Sequence, residues 1–402
     1  MYTPAEAERL MRASLPLFGT EECPLAEAHG RVLRSDLVAD RDLPPFDRVT
    51  LDGYALRAAS LTAKRRNFTI TATQAAGMRP FKLGPAGDVC IEVGTGAVLP
   101  EGADCVVPYE ETKAVAGVVT MLPELVQLRP GQGVHRRGSD NRQGEVIVPA
   151  GTRLTGREIA VAAAVGAARL RVAQLPKIAV VASGDELVEV GDAVAPHQVR
   201  RSNDHALRAA LIQAGYPRVE RFHLHDMRHE IEHMLWHIIA EFDVILISGG
   251  VSKGKFDFLP AELDAQGVRR IFQGVAQRPG KPMWFGVNPE GKPVFALPGN
   301  PVSAYTCLHC YVLPALAQSS GLAPAPKGTA KLAVPVIFRP KVTYFLPVKL
   351  SSGPGGERLA TPDPSNTSGD FGGLVATDGF VELPPEQDEF PAGYVARYQA
   401  WV

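Results

Sequence analysis

The sequence predicts an α/β plus β chain of several domains, centred on a doubly wound α/β domain. Buried-strand runs Lys177-Ile-Ala-Val-Val-Ala-Ser183, Asp243-Val-Ile-Leu-Ile-Ser248 and Pro293-Val-Phe-Ala-Leu297 alternate with helical stretches through Ser319, the pattern of parallel strands joined by crossover helices. Short β-prone runs separated by glycine turns fill residues 47–129 and return after Gly328, which predicts strand-rich modules on both sides of the α/β domain. The length of 402 residues exceeds one ordinary core, so several domains are expected.

Composition narrows the class. Apolar residues make up 45% of the chain and support real cores, while 39 glycines and 34 prolines imply many turns. A net charge of -1 supplies no global attraction to nucleic acid or an acidic membrane, so any ligand charge must be met locally. The five cysteines are too scattered for a disulfide framework, which favours a reducing compartment. Met1-Tyr-Thr-Pro-Ala-Glu6 lacks a basic, apolar leader, and no uncharged apolar run approaches the roughly 18 residues of a membrane span. The expectation is a cytoplasmic protein with neither nucleic-acid nor membrane partners.

Element by element, Thr3-Pro4 with Glu6 reads as a capping box opening a helix to about Arg12. Pro44-Pro45 ends this region. Phe68–Thr73 and Val115–Leu122 read as strands of a small β module, Val146–Pro149 resumes strand character, and Thr155 caps a helix through Val165. If that later piece packs back on the N-terminal helix, the β module is an insertion. The expected division is 1–45 with 134–175 as a discontinuous N-terminal domain and 46–133 as an inserted β-rich domain. Residues 176–322 form the α/β domain and 323–402 a C-terminal β domain of barrel or sandwich type. Within the α/β domain, Ser202-Asn-Asp204 caps a helix from His205 to Ala214, Asp226 caps another from Met227 to Ala240, and helices follow around Pro260–Ala265 and over Pro301–Ser319. After the linker 321–328, strands are expected at Lys331–Phe338, Tyr344–Leu350, Gly379–Leu383 and Tyr394–Trp401.

The segment from Asp243 to Ser303 carries the strongest functional signal. Two buried strands run into glycine turns, Ser248-Gly-Gly-Val-Ser252 and Leu297-Pro-Gly-Asn-Pro-Val-Ser303, with Arg278-Pro-Gly-Lys-Pro282 between them. Glycine lets backbone N–H groups approach a ligand, and a helix start leaves such donors free. Arg278 and Lys281 add full charges. An anionic ligand at the carboxyl ends of parallel strands is therefore expected.

Other clusters have simpler explanations. His225, His229, His233 and His237 recur every four residues, but Ile231, Leu235 and Ile238 form the apolar stripe and the last three histidines lie opposite it, as a polar face. Cys307-Leu-His-Cys310 is a lone C-x-x-C inside a helix with no partner pair, which suits buried apolar thiols rather than zinc.

Six motifs in one order make the chain specific: Phe46-Asp-Arg-Val-Thr-Leu-Asp-Gly-Tyr-Ala55, Gly94-Thr-Gly-Ala97 with Pro100-Glu-Gly-Ala-Asp104, Ser183-Gly-Asp-Glu-Leu187, Ser248-Gly-Gly-Val-Ser252, Pro279-Gly-Lys-Pro282 and Leu297-Pro-Gly-Asn-Pro-Val-Ser-Ala304. Together they resemble the molybdopterin molybdenumtransferase family, the MoeA proteins and the gephyrin E domain, over nearly the whole chain. The resemblance implies insertion of molybdenum from molybdate into adenylylated molybdopterin, with AMP leaving with the help of Mg²⁺. It also implies an elongated homodimer whose active site lies between the molybdopterin-binding α/β domain of one subunit and the β insertion of the other.

By motif match, the resemblance places Asp52 and Thr95 on the inserted module and assigns Glu186, Asp226, Asp257, Lys281 and Ser368 to the remaining site positions. Asp52, Asp257, Glu186 and Lys281 are the catalytic candidates. Hard cations prefer carboxylate oxygens, which makes Asp52 and Asp257 the metal candidates. Thr95, Asp226, Ser248, Gly249, Gly250, Arg278, Gly299, Asn300, Ser303 and Ser368 are the substrate-binding candidates. Asp226 also suits a plain helix cap.

Four departures stand out from the family pattern: Arg48-Val-Thr-Leu51 before Asp52, Lys255 beside Lys253, Arg278 in place of a lysine, and no arginine in Lys341-Val-Thr-Tyr344. Two other functions remain open on the sequence, a non-catalytic pterin carrier or scaffold and a nucleotide pyrophosphate hydrolase.

Overall fold

The computed structural model describes residues 1–225, 227–250, 259–324, 326–364 and 367–401. The inserted module is a six-stranded sheet of β1 (Gly53–Leu56), β2 (Asn67–Gln74), β3 (Val89–Val93), β4 (Cys105–Pro108), β5 (Thr112–Val115) and β6 (Val118–Met121), ordered β4-β1-β3-β2-β6-β5. The run expected at 115–122 is a hairpin instead, because Ala116 and Gly117 both take positive φ, 49° and 80°, and reverse the chain between β5 and β6.

The segments flanking this module pair with one another. Thr20–Pro24 runs antiparallel to Arg169–Ala173, and Leu37–Val38 pairs with Val146–Val148. Their core gathers Cys23, Leu33, Val148, Leu154 and Val172. Helix α1 (Pro4–Ser14) packs elsewhere: Ala7 and Met11 are buried with Ile178, Val180 and Phe272 of the α/β domain. The return of 146–165 is thus onto Leu37–Val38 and the core around Leu33, not onto α1. Helix α2 (Gly156–Ala164) starts at Thr155, whose N–H and hydroxyl both donate to Glu158.

The α/β domain holds β7 (Ile178–Ser183), α3 (Asn203–Gln213), β8 (Val219–Leu224), α4 (Arg228–Glu241), β9 (Val244–Ser248), α5 (Leu259–Ala265), β10 (Arg269–Gln273), β11 (Trp284–Val287), β12 (Pro293–Leu297), α6 (Pro301–Cys307) and α7 (Leu313–Ser319). The order is β8-β7-β9-β12-β11-β10. Alternate residues of one strand enter opposite cores. Val244 and Leu246 pack with α1, α3, α6 and α7, whereas Ile245 and Ile247 pack with α4 and α5. Each such side chain contributes about 1.5–3 kcal/mol on full burial, and this two-sided burial makes the sheet doubly wound.

The sheet is not wholly parallel, as the strand-and-helix alternation had suggested. β7, β8, β9 and β12 are parallel, but β11 runs antiparallel to both β12 and β10. The connection Asn288–Lys292 is too short for a crossover helix, so β11 and β12 can only form a hairpin. Two reversals restore the direction of β10, and the loop leaving β10 emerges at the same edge as the ends of β7, β9 and β12.

Helices α6 and α7 are separated by a π-helical turn, Leu308–Val312. Pro314 follows at the start of α7. A proline inside a helix offers no N–H and crowds the carbonyl four residues earlier, here that of Cys310, and a widened turn relieves both.

The C-terminal sheet closes on itself. β13 (Gly328–Leu332), β14 (Thr343–Ser352), β15 (Arg358–Pro362), β16 (Gly379–Leu383) and β17 (Val395–Ala400) form the ring β14-β15-β13-β17-β16-β14, a five-stranded barrel around Leu332, Leu346, Val348 and Val381. Arg358–Pro362 carries no strong alternation and was not anticipated. Among the described residues no helix is long and apolar enough to cross a membrane.

Candidate active site at the carboxyl edge of the sheet

β7 and β9 are neighbours, but the chain leaves β7 for β8 on the far side, which opens a crevice at their carboxyl ends. The turns after β7, β9 and β12 meet there. Gly249 has φ 99°, and a Cβ on it would stand 2.6 Å from the Ser183 carbonyl oxygen, so only glycine permits this approach. A Cβ on Gly299 would lie 3.6 Å from the Gly249 Cα. The Gly249 N–H is taken by the Leu297 carbonyl, whereas those of Gly250, Gly299 and Asn300 have no acceptor among the described residues. Glu186 is exposed, and its carboxylate folds back beside Gly184, where an added Cβ would meet it at 2.4 Å.

A cavity of about 430 Å³ lies between this edge and the barrel, lined by Arg278, Lys281, Asn300, Ser303, Tyr344 and Ser368 among others. Arg278 and Lys281 are exposed, and neither has an acidic partner among the described residues. Ser368 joins the two domains: its Oγ accepts from Asn300 Nδ2 at 2.7 Å, and its carbonyl accepts from the Val302 N–H at 3.0 Å. One donor of the α6 terminus is thereby already used. The Ser368 hydroxyl has no acceptor for its own proton among the described residues.

Ser248, expected as a substrate contact, is 3% exposed. Its Oγ donates to the Pro298 carbonyl and accepts from Asn203 Nδ2 at 2.8 Å. That places its hydroxyl within the scaffold. Asn203 Nδ2 also donates to the Gly299 carbonyl at 2.7 Å, so one amide ties the two glycine turns together. Ser202-Asn-Asp204 is expected to cap α3, but the Ser202 side chain makes no capping bond. Asp204 is fully buried against Arg201 and Arg221 and braces the start of α3. Three polar residues where one cap suffices were the only signal of this arrangement.

On the inserted module, antiparallel pairing of Gly53 with Val93 puts Asp52, just before β1, beside Thr95, just after β3. Asp52 Oδ1 accepts from the Thr95 N–H at 2.6 Å and from its hydroxyl at 2.9 Å. These bonds, the backbone one foremost, hold the exposed carboxyl below its ordinary pKa. Asp52 and Thr95 share no hydrogen bond or ion pair with the described residues of the α/β domain, and no residue of 46–133 lines the 430 Å³ cavity. Asp226, Asp257, Lys253 and Lys255 lie outside the described residues.

The other clusters resolve as polar and apolar faces. His229, His233 and His237 are exposed opposite buried Ile231, Leu235 and Ile238, and no group of three or more metal-binding side chains occurs among the described residues. Cys307 is buried, which pushes its thiol up to about 12.

Comparison with known proteins covers nearly the entire chain. Residues 2–166 match the MoeA N-terminal region (domains I and II), 179–318 a probable molybdopterin binding domain, and 329–401 the MoeA C-terminal region (domain IV). The molybdopterin molybdenumtransferase of Synechocystis sp. is 40% identical over 402 residues, covering 100% of both chains. That of Bacillus subtilis is 31% identical, covering 91% of this chain and 86% of its own. A crystal structure of the molybdopterin biosynthesis MoeA protein from Pyrococcus horikoshii superposes with a TM-score of 0.81 at 31% identity, covering 100% of this chain and 99% of the other.

Proposed function

This chain belongs to the MoeA family of molybdopterin molybdenumtransferases, and from that membership we propose that its cavity inserts molybdenum from molybdate into adenylylated molybdopterin with release of AMP. The observation that carries the site assignment is a pair of cations, Arg278 and Lys281, facing one cavity with no carboxylate to neutralise them among the described residues. Molybdate is a small dianion. Arg278 would meet its oxygens through a planar fork and Lys281 as a point charge. The Ser368 hydroxyl, already oriented by Asn300, would donate a hydrogen bond to the same anion. The open N–H groups of Gly250, Gly299 and Asn300 suit the phosphate of the adenylylated pterin. Because these donors are in place before reaction, positioning and electrostatics supply the rate, without a covalent nucleophile.

The divalent cation of the family fits the donor set. Among the described residues only one Asp52 carboxylate oxygen is bonded, by Thr95, and Mg²⁺ usually takes only one or two carboxylates with phosphate and water. Asp52 would hold the ion, with Asp257 as the second candidate, and when bound it would supply positive charge opposite the phosphate of the departing AMP. Since no residue of the inserted module lines the cavity, Asp52 and Thr95 would reach it from a second copy of the chain. Glu186 and Asp226 are proposed at the same edge, contacting pterin or cation.

The test is mass spectrometry of the reaction mixture. AMP and the metal-loaded pterin are expected only when adenylylated molybdopterin, molybdate and Mg²⁺ are all present. Tight pterin binding without AMP release would instead identify a carrier, and cleavage without molybdate a hydrolase; either result sinks the transferase reading.

A further inference from the structure

An anion-binding loop must present its N–H groups and hide its carbonyls, because a carbonyl oxygen aimed at an oxyanion repels it. In the loop between β10 and β11 this is arranged from beneath. Gln277 is 3% exposed and forms, with Arg278, a two-residue strand on the barrel strand β14, opposite Thr343 and Tyr344. Its Nε2 donates to the Pro279 carbonyl at 3.0 Å and reaches the Gly280 carbonyl at 3.4 Å, which also accepts from the Met283 N–H at 3.2 Å. Its Oε1 accepts from the Tyr311 hydroxyl. Tyr311 belongs to the π-helical turn, so that irregular turn aims its phenol at the loop. The N–H groups of Gly280 and Lys281 have no acceptor among the described residues, and both residues line the cavity. Gly280 has φ 93°, and a Cβ there would stand 2.6 Å from both Gln277 Nε2 and Cys307 Sγ.

We propose that Gln277, oriented by Tyr311, is a positioning residue for oxyanion capture: it holds the Pro279 carbonyl inward and supports the Met283 N–H in holding that of Gly280, so that the Gly280 and Lys281 amides and the Arg278 and Lys281 cations converge on the anion. The inference rests on the reading of this cavity as the molybdate site. A buried carboxamide is suited to the task because it donates to the carbonyls and accepts from the phenol without adding charge. A carboxylate could not donate to the carbonyls. An apolar side chain would leave the Pro279 carbonyl without a partner among the described residues and free to turn.

The experiment compares steady-state kinetics of Gln277→Met, Tyr311→Phe and Lys281→Ala with the parent, varying molybdate at saturating adenylylated pterin. Loss of binding shared by ground and transition states raises KM with kcat preserved, so Gln277→Met is expected to raise the molybdate KM about tenfold with kcat within about twofold. Tyr311→Phe is expected to raise it about threefold, and the double variant to be no worse than Gln277→Met, as for residues acting through one contact. The KM for the adenylylated pterin should stay parental, which a general loss of folding would not spare. A parental molybdate KM in Gln277→Met, beside a raised one in Lys281→Ala, overturns the inference alone. A parental KM in Lys281→Ala overturns the cavity reading and the inference with it. If Gln277→Met does not fold, the isosteric Tyr311→Phe decides, a parental molybdate KM being the overturning result.

Discussion

Asp52 shows how far one neighbour can set the chemistry of an exposed side chain. Both hydrogen bonds from Thr95 end on the same carboxylate oxygen, so the ionised form is favoured while the second oxygen has no partner among the described residues. Thr95→Val removes the hydroxyl and keeps the larger backbone contribution, so the Asp52 pKa should rise part of the way to its ordinary value. Above the ordinary carboxylate range both proteins carry the same charge and should behave alike. As the pH falls the variant protonates first, and the acid limb of kcat/KM should shift to higher pH. Superimposable profiles would show that the Thr95 hydroxyl does not tune this carboxyl. At this scale the motifs Leu51-Asp-Gly-Tyr54 and Gly94-Thr-Gly-Ala97 were legible, but their contact was not, because it depends on which ends of β1 and β3 the sheet brings together. Asn203 and Gln277 were not legible as site residues. A carboxamide at a helix start or on a short strand has no sequence signature that separates holding a turn from filling space.

Element boundaries followed local physics where a cap or turn was strong. The Thr155 and Glu158 pair is a case in which the cost of losing a cap can be measured. Thr155→Ala should lower the unfolding free energy by about 1 kcal/mol, read from urea denaturation. The Glu158 carboxyl is held below its ordinary pKa by the Thr155 hydroxyl first and the Thr155 N–H second. A depressed native pKa contributes stability that is fully present above the unfolded value and is lost as pH falls through the native one. The gap between parent and variant should therefore be constant near neutral pH and narrow in acid; a gap that widens in acid would contradict the assignment. Elements governed by pairing were harder to read. Arg269–Gln273 and Trp284–Val287 are short and nearly continuous in burial on the inner strand, so period alone could not separate them from loop. The short Asn288–Lys292 connection is the readable clue that Trp284–Val287 runs against Pro293–Leu297. The π-helical turn likewise had one local cause in view, Pro314, but the use of that turn to aim Tyr311 depends on the loop it faces.

For the molecule as a whole, the separation of the two halves of the site has a direct consequence. If Asp52 acts from a second copy, chains carrying Asp52→Ala and Lys281→Ala are each strongly impaired alone when molybdate is limiting. Mixed and reassembled, half of the dimers would be heterodimers with one intact site of two, restoring about a quarter of parental activity in a symmetric pair. No recovery in verified heterodimers would place both residues in one chain's site. The glycine turns, the charged loop, the doubly wound centre and the strand-rich flanks were all written in local order, since burial period, turn residues and caps act within a few positions of the chain. Placement was not. The antiparallel reversals carry the Arg278–Lys281 loop to the carboxyl edge, the barrel closes a cavity over it, Ser368 bridges from the far domain, and buried amides choose which backbone groups face inward. These depend on contacts between segments tens to hundreds of residues apart, and their free energy exists only once the chain has closed around them.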